Sequence, residues 1–112
     1  MTQKTKKKKV KTVYLSAPVS GYDLNERYDT FEHVEEMLKK FGYNVLNPMK
    51  NGLPHSAPLE QHMKRDIIML LQSDAIFFMK DWNRSRGCLT ELHVATACGL
   101  EVWFEKISEL KL

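Results

Sequence analysis

Asp74-Ala75-Ile76-Phe77-Phe78-Met79 is a compact run in which five apolar residues follow one acid without polar alternation. A strand with one solvated face alternates, whereas an unbroken apolar run of this length reads as a strand covered on both faces. The flanks support that reading. Residues 59–72 carry a helical pattern before it, and a polar loop over residues 80–86 follows. A third helix spans residues 87–98, closed by Gly99, and a last strand covers residues 100–104. Towards the N-terminus, residues 10–16 (VKTVYLS) form a β-branched and aromatic run that enters the loop Ala17-Pro18-Val19-Ser20-Gly21. Asp23 and Glu26 have capping-box spacing, and Leu24, Tyr28, Phe31, Val34, Leu38 and Phe41 then recur at helical intervals until Gly42. Residues 43–46 are a short strand ended by Asn47-Pro48. Three prolines and Gly52 make residues 47–58 a loop.

The order is therefore β-α-β-α-β-α-β, without repeats. Strict alternation with short connections predicts a parallel four-stranded sheet of order 2-1-3-4. The first helix is expected on one face and the second and third on the other, a three-layer Rossmann/flavodoxin-like α/β domain. Ligands of such sheets bind beyond the carboxyl ends of the strands, where strand order reverses. That directs attention to residues 17–22 and 80–87.

A chain of 112 residues has room for one core. Its hydrophobic fraction of 43% and charged fraction of 28% are those of an ordinary globular domain. No apolar run reaches the length of a bilayer span, and the N-terminus lacks the apolar stretch of a signal peptide, so no membrane association is expected. Cys88 and Cys98 have neither zinc nor redox-motif spacing, which suits reduced thiols and a cytoplasmic location. The net charge of +3 comes from a tail: without Lys4, Lys6, Lys7, Lys8, Lys9 and Lys11 it becomes −3. Residues 1–11 are expected to be disordered through self-repulsion and residues 12–112 to form the domain. Clustered lysines can contact nucleic acid, but no aromatics interleave them, so a solubilising tail is the simpler reading.

Two carboxylates fall on apolar faces. At 100° per residue Asp66 shares a sector of the second helix with Leu59, Met63 and Leu70. Glu91 shares a face of the third helix with Cys88, Val94, Ala95 and Cys98. An ionised carboxylate there costs several kcal/mol unless paired or hydrogen-bonded. Each could be a structural acid satisfied by Arg65, Arg84, Arg86 or backbone amides. Two of them flanking one strand point instead to a shared cleft. Glu91 is expected in the first turn of its helix, where the dipole favours an anion and suits a nucleophile ionised at neutral pH. Ser85, Arg86 and Gly87 read equally as an anion site or as a loop and N-cap. His33, His55, His62 and His93 lack metal-ligand spacing, so no metal is expected. Residues 17–21 match neither dinucleotide nor nucleoside-triphosphate loops, and no cofactor is implied. Trp82 could stack on a base or pack, and Tyr14 and Tyr22 could line a pocket or pack.

These segments resemble the nucleoside 2-deoxyribosyltransferase superfamily, which includes the 2′-deoxynucleoside 5′-phosphate N-hydrolases, and in particular its branch of short bacterial and phage proteins. Val13-Tyr14-Leu15-Ser16-Ala17-Pro18-Val19-Ser20-Gly21 is similar to the first strand and substrate loop. Arg65-Asp66-Ile67, followed by Ser73-Asp74-Ala75-Ile76, is similar to the helix bearing a site aspartate and the next strand. Ser85-Arg86-Gly87-Cys88-Leu89-Thr90-Glu91 fits SxGxxxE, whose glutamate is the family's nucleophile. The resemblance implies that Glu91 attacks the anomeric carbon and that Asp66 orients it or handles the proton of the departing base. It implies that Tyr14, Ser16, Ala17, Ser20 and Gly21 surround the sugar and that Ser85 and Gly87 hold a 5′-hydroxyl or 5′-phosphate. Ala17 and Ser20 replace a glycine and an arginine of the nucleotide hydrolases, which argues against the phosphate. The family completes its pocket with C-terminal residues of a neighbouring subunit, a part left here to residues 105–112.

The partner expected is therefore a nucleoside or nucleotide, bound by a homodimer or larger assembly. Ile68, projecting away from the apolar sector of its helix, is an expected interface residue. Beside the N-glycosidase or deoxyribosyltransferase stand two alternatives, a nucleotide-binding module without turnover and an accessory protein acting through an oligomer interface.

Overall fold

In the computed structural model, which describes residues 10–106, all strand pairs are parallel and the order is β2-β1-β3-β4, as expected. The strands are β1 (Thr12–Ser16), β2 (Asn44–Leu46), β3 (Ala75–Phe78) and β4 (Glu101–Phe104), and the helices are α1 (Leu24–Lys40), α2 (Leu59–Leu71) and α3 (Arg86–Ala97). Single 3-10 turns occupy Pro48–Lys50 and Trp82–Arg84, inside stretches read from sequence as loops. Residues 1–9 of the expected tail and residues 107–112 lie outside the described residues. Lys11 is at the margin of the sheet, where its carbonyl accepts from Asn44 N at 3.0 Å and its ammonium meets Glu101 at 2.5 Å.

Strand periodicity divides the core into two layers. Val13, Leu15, Ala75, Phe77 and Met79 face Phe31, Val34 and Leu38 of α1. Tyr14, Ile76 and Phe78 face the other way, towards Leu70 of α2 and Cys88 and Ala95 of α3. All four residues of β3 are buried, as its unbroken apolar run requires. Truncating a fully buried ring such as Phe31 to alanine would cost about 3–5 kcal/mol.

Helix ends follow local chemistry. The Asp23 side chain caps α1 by accepting from Glu26 N at 2.9 Å. At Gly42, φ is +96°, a backbone turn open to glycine that ends the helical run. Four positions depart from the helical projection, among them Tyr28, which is exposed on α1. Phe41 lies one residue past α1 and is exposed. Leu59 opens α2 before the helix reaches the sheet and is 73% exposed. Cys98, at the C-cap of α3, has turned away from the core.

Two charged residues lie on the buried stripe of α1 with Phe31, Val34 and Leu38. Arg27 donates from Nη1 to the Pro18 carbonyl at 2.9 Å and so ties down the loop after β1. Glu35 accepts from Asn47 Nδ2 at 3.0 Å and pairs with Lys39 and Lys50, which anchors the segment after β2.

Candidate active site

The strand alternation that buries Tyr14 also sends Ser16 to the same face of the sheet, towards α3. The Tyr14 hydroxyl donates to Glu91 Oε2 and the Ser16 hydroxyl to Oε1, each at 2.6 Å. Glu91 is 6% exposed. Burial pushes its carboxyl up to about 7, against the two hydroxyl donors, which favour the anion; the Asp66 charge raises it further. Burial likewise raises the Tyr14 phenol, aided by the Glu91 and Asp66 charges, so it remains a donor at neutral pH.

Glu91 is the sixth residue of α3 and stands in its second turn, since the helix starts at Arg86. The expectation of a first-turn position fails for a geometric reason. The unpaired amides of a helix lie at its very beginning, and dipole stabilisation fades beyond the first turn. Two side-chain hydroxyls from β1 take that part. Ser85 is the N-cap and accepts from Cys88 N at 3.2 Å, as one of its two readings proposed.

Glu91 lines a cleft of about 550 Å³ at the carboxyl end of the sheet. Its walls are Ala17, Val19 and Ser20 from the loop after β1, Leu59 and Met63 from α2, and the segment 84–91 leading into α3. This is the point where β2 and β3 depart to opposite sides of β1. Gly87 stands in this wall beside Met63, where a Cβ would make ordinary van der Waals contact with Met63 Cε at 3.4 Å. Arg84 and Arg86 line the cleft and, among the described ion pairs, neither takes part. The structural reading in which arginines neutralise Glu91 or Asp66 has no such contact behind it.

Asp66 is half-buried and its Oδ1 accepts from Asn51 Nδ2 at 2.9 Å. Burial raises its carboxyl, opposed first by the Asn51 bond and then by the neighbouring His62 and Arg65 side chains. Ala17, Ser20, Ser85 and Gly87 thus join Glu91 around the cleft, whereas Tyr14 and Ser16 hold Glu91 by hydrogen bonds; Asp66, expected to share the cleft, lies outside its lining and acts on Glu91 through charge. Gly21 is exposed and outside the cleft lining; Tyr22, next to it, is a lining residue and donates to Asp81 Oδ2 at 3.1 Å. Trp82 packs, with its ring 4.8 Å from Phe78 and 5.3 Å from Phe104.

Sequence reasoning missed Asn51 and Arg27. The signal for Arg27 was its place four residues before Phe31 on an apolar stripe. Asn51 gave no signal, lying in a proline-rich loop where asparagine is commonplace. Among the described residues no group of three or more His, Cys, Asp and Glu is gathered as a metal site would need.

Solved structures share this architecture. A 2-deoxyribosyltransferase from Bacillus psychrosaccharolyticus aligns with a TM-score of 0.65 at 23% identity, over 86% of this chain and 76% of that one. A 2-desoxiribosyltransferase from Leishmania mexicana aligns at 0.64 and 24% identity, over 84% of this chain and 63% of its own. A conserved protein from Enterococcus faecalis V583 gives 0.62 and 22%, over 86% and 63%. The present chain therefore spans less than two thirds of the last two. No curated protein matches the sequence. Strand order, layers and these alignments define a protein of the nucleoside 2-deoxyribosyltransferase-like fold. Within it, the chain belongs to the family described as Domain of unknown function (DUF4406), which it matches over residues 11–104.

Proposed function

We propose that this protein cleaves or transfers at the N-glycosidic bond of a (deoxy)nucleoside or its 5′-monophosphate, with Glu91 as nucleophile. The observation that carries the reading is a buried carboxylate gripped by two hydroxyls at the wall of a cleft. Gripping fixes the carboxylate, and burial leaves it poorly solvated and reactive once ionised.

In the first step a Glu91 oxygen bonds to the anomeric carbon as the bond from that carbon to the base nitrogen breaks. The base leaves with the electron pair and takes up a proton, whose delivery falls to Asp66. In the second step water, or the nitrogen of another base, attacks the same carbon, its proton returns to Asp66 and Glu91 departs as the carboxylate, so configuration is retained. Ala17 and Ser20 lie on the sugar side, and Ser85 and Gly87 beside the 5′ substituent. The deoxyribosyltransferases of similar fold support this substrate class. We place the enzyme in the cytoplasm, as a homodimer or larger; among the described residues no helix is long and apolar enough to cross a membrane.

The test is incubation with a panel of nucleosides and 5′-monophosphates, with chromatographic detection of free base, with and without an acceptor base. Release or exchange supports the reading. Thermal stabilisation by a nucleotide with no base released from any substrate would overturn it in favour of a binding module. The Glu91 value near 7 gives that second reading its own basis, since a protonated carboxyl donates a hydrogen bond to a ligand instead of attacking it.

A further inference from the structure

Residues 51–55 are lashed to one face of α2 by a buried amide. Asn51 is 7% exposed and follows the 3-10 turn Pro48–Lys50. Its Oδ1 accepts from Leu53 N at 2.9 Å. Its Nδ2 donates to Asp66 Oδ1 at 2.9 Å and stands 3.1 Å from His62 Nδ1. Its carbonyl accepts from Arg65 Nη1 at 2.7 Å. His62, Arg65 and Asp66 fall at i, i+3 and i+4, a single helix face. Gly52 makes room for this grip: its φ is +90°, and a Cβ there would meet Arg65 Nη1 at 3.1 Å.

The His62 tautomer follows from its partners. Nε2 lies 3.1 Å from the Pro54 carbonyl and 3.2 Å from the His55 carbonyl. Carbonyl oxygens only accept, so Nε2 carries the proton, and Nδ1 of the neutral ring is left to accept from Asn51. Both amide protons of Asn51 are then used, one on His62 and one on Asp66. The amide cannot flip, because its oxygen would face a carboxylate and an imidazole lone pair. Its orientation is fixed, and it fixes the Asp66 carboxylate.

We propose that Asn51 is a positioning residue: its amide, shared between His62 and Asp66, fixes the orientation of the Asp66 carboxylate, the group to which proton delivery to the departing base falls. This rests on the reading that Glu91 and Asp66 perform the chemistry. The charge of Asp66 is felt at Tyr14 of β1 and Glu91 of α3, and His62 and Arg65 on its own helix act on it in turn. Among the described residues, Asn51 is the hydrogen-bond partner that restrains Asp66 from outside the helix.

The decisive variant is Asn51→Asp in the full chain, which keeps shape and the acceptor for Leu53 N but loses both donors. Carboxyl-carbon NMR should show Asp66 titrating at higher pH than in wild type, because a donor to the anion has been replaced by a second acid. Base release should fall by about 10- to 100-fold in kcat with a smaller change in KM. An unmoved Asp66 titration in a folded Asn51→Asp protein overturns the proposal. In wild type, ring-nitrogen NMR should find the proton of His62 on Nε2; a proton on Nδ1 also overturns it, whether or not the variant folds. A shifted Asp66 titration in a protein that never releases base supports the hold on Asp66 and overturns the enzymatic reading instead.

Discussion

Ser16 Oγ, in the last residue of β1, and Glu91 Oε1, in the second turn of α3, are 2.6 Å apart and both buried. This contact joins the first strand of the sheet to its last helix across 75 residues of sequence. Tyr14, two residues earlier on the same face, grips the other carboxylate oxygen. A carboxylate with both oxygens occupied by hydroxyl donors is oriented, yet burial still lifts it to about 7. The anion is held in place more than it is stabilised.

Glu91→Gln should abolish base release while leaving nucleoside affinity within about threefold, because shape and most contacts survive. The serine and tyrosine hydroxyls can each turn to donate or accept, so the amide is tolerated. Titration calorimetry of the variant beside a turnover assay checks both halves. Base release that survives the substitution would end the nucleophile assignment.

The pH dependence has a definite sign. The attacking form is the anion, so kcat/KM should fall as pH drops through about 7. Stability should move the other way. The folded value is raised from 4.5 to about 7, so the contribution of Glu91 to folding is complete below 4.5 and is lost as pH rises through 7. The difference is about 3 kcal/mol at 1.36 kcal/mol per pH unit. Glu91→Gln should therefore melt at or above wild type at pH 8, and a clearly lower melting temperature there would mark a structural glutamate.

How much of this was legible beforehand follows from what each signal measures. The unbroken run 74–79 and the strict alternation carried sheet order and helix faces, because one continuous core constrains them together. The apolar face of α3 singled out Glu91. It could not show that Tyr14 and Ser16 hold the acid, since those contacts depend on strand register against a helix 75 or more positions away. Asn51 was invisible because asparagine is commonplace in a proline-rich loop. Leu59 misled because helical projection assigns a direction but not the depth at which a helix begins to touch the sheet.

Ile68 is 53% exposed and Leu71, on the same helix, 51%. Apolar side chains placed in this way suit contact with a second copy of the chain. Light scattering at micromolar concentration should give at least twice the 13.1 kDa of one chain. Ile68→Lys should shift the population towards monomer without unfolding it, and a wild-type protein that stays at 13.1 kDa rules the assembly out.

Tyr14→Phe and Asp66→Asn should move the same titration in opposite directions. The tyrosine hydroxyl donates to the Glu91 anion, and removing it raises the carboxyl further, so the acidic limb of the pH–rate profile moves up. The Asp66 charge opposes ionisation of Glu91, and removing it moves the limb down. Both variants should lose rate, Tyr14→Phe because Oε2 is left without its donor, and Asp66→Asn by about 10²–10⁴-fold if it handles the proton of the base. Rate alone cannot separate these causes from mild misfolding, which lowers kcat whatever the residue. Opposite displacement of the limb can, because a general loosening of the site would admit water and lower the Glu91 value in both variants. Limbs that shift together, or not at all, would show that the hydroxyl and the charge do not control Glu91.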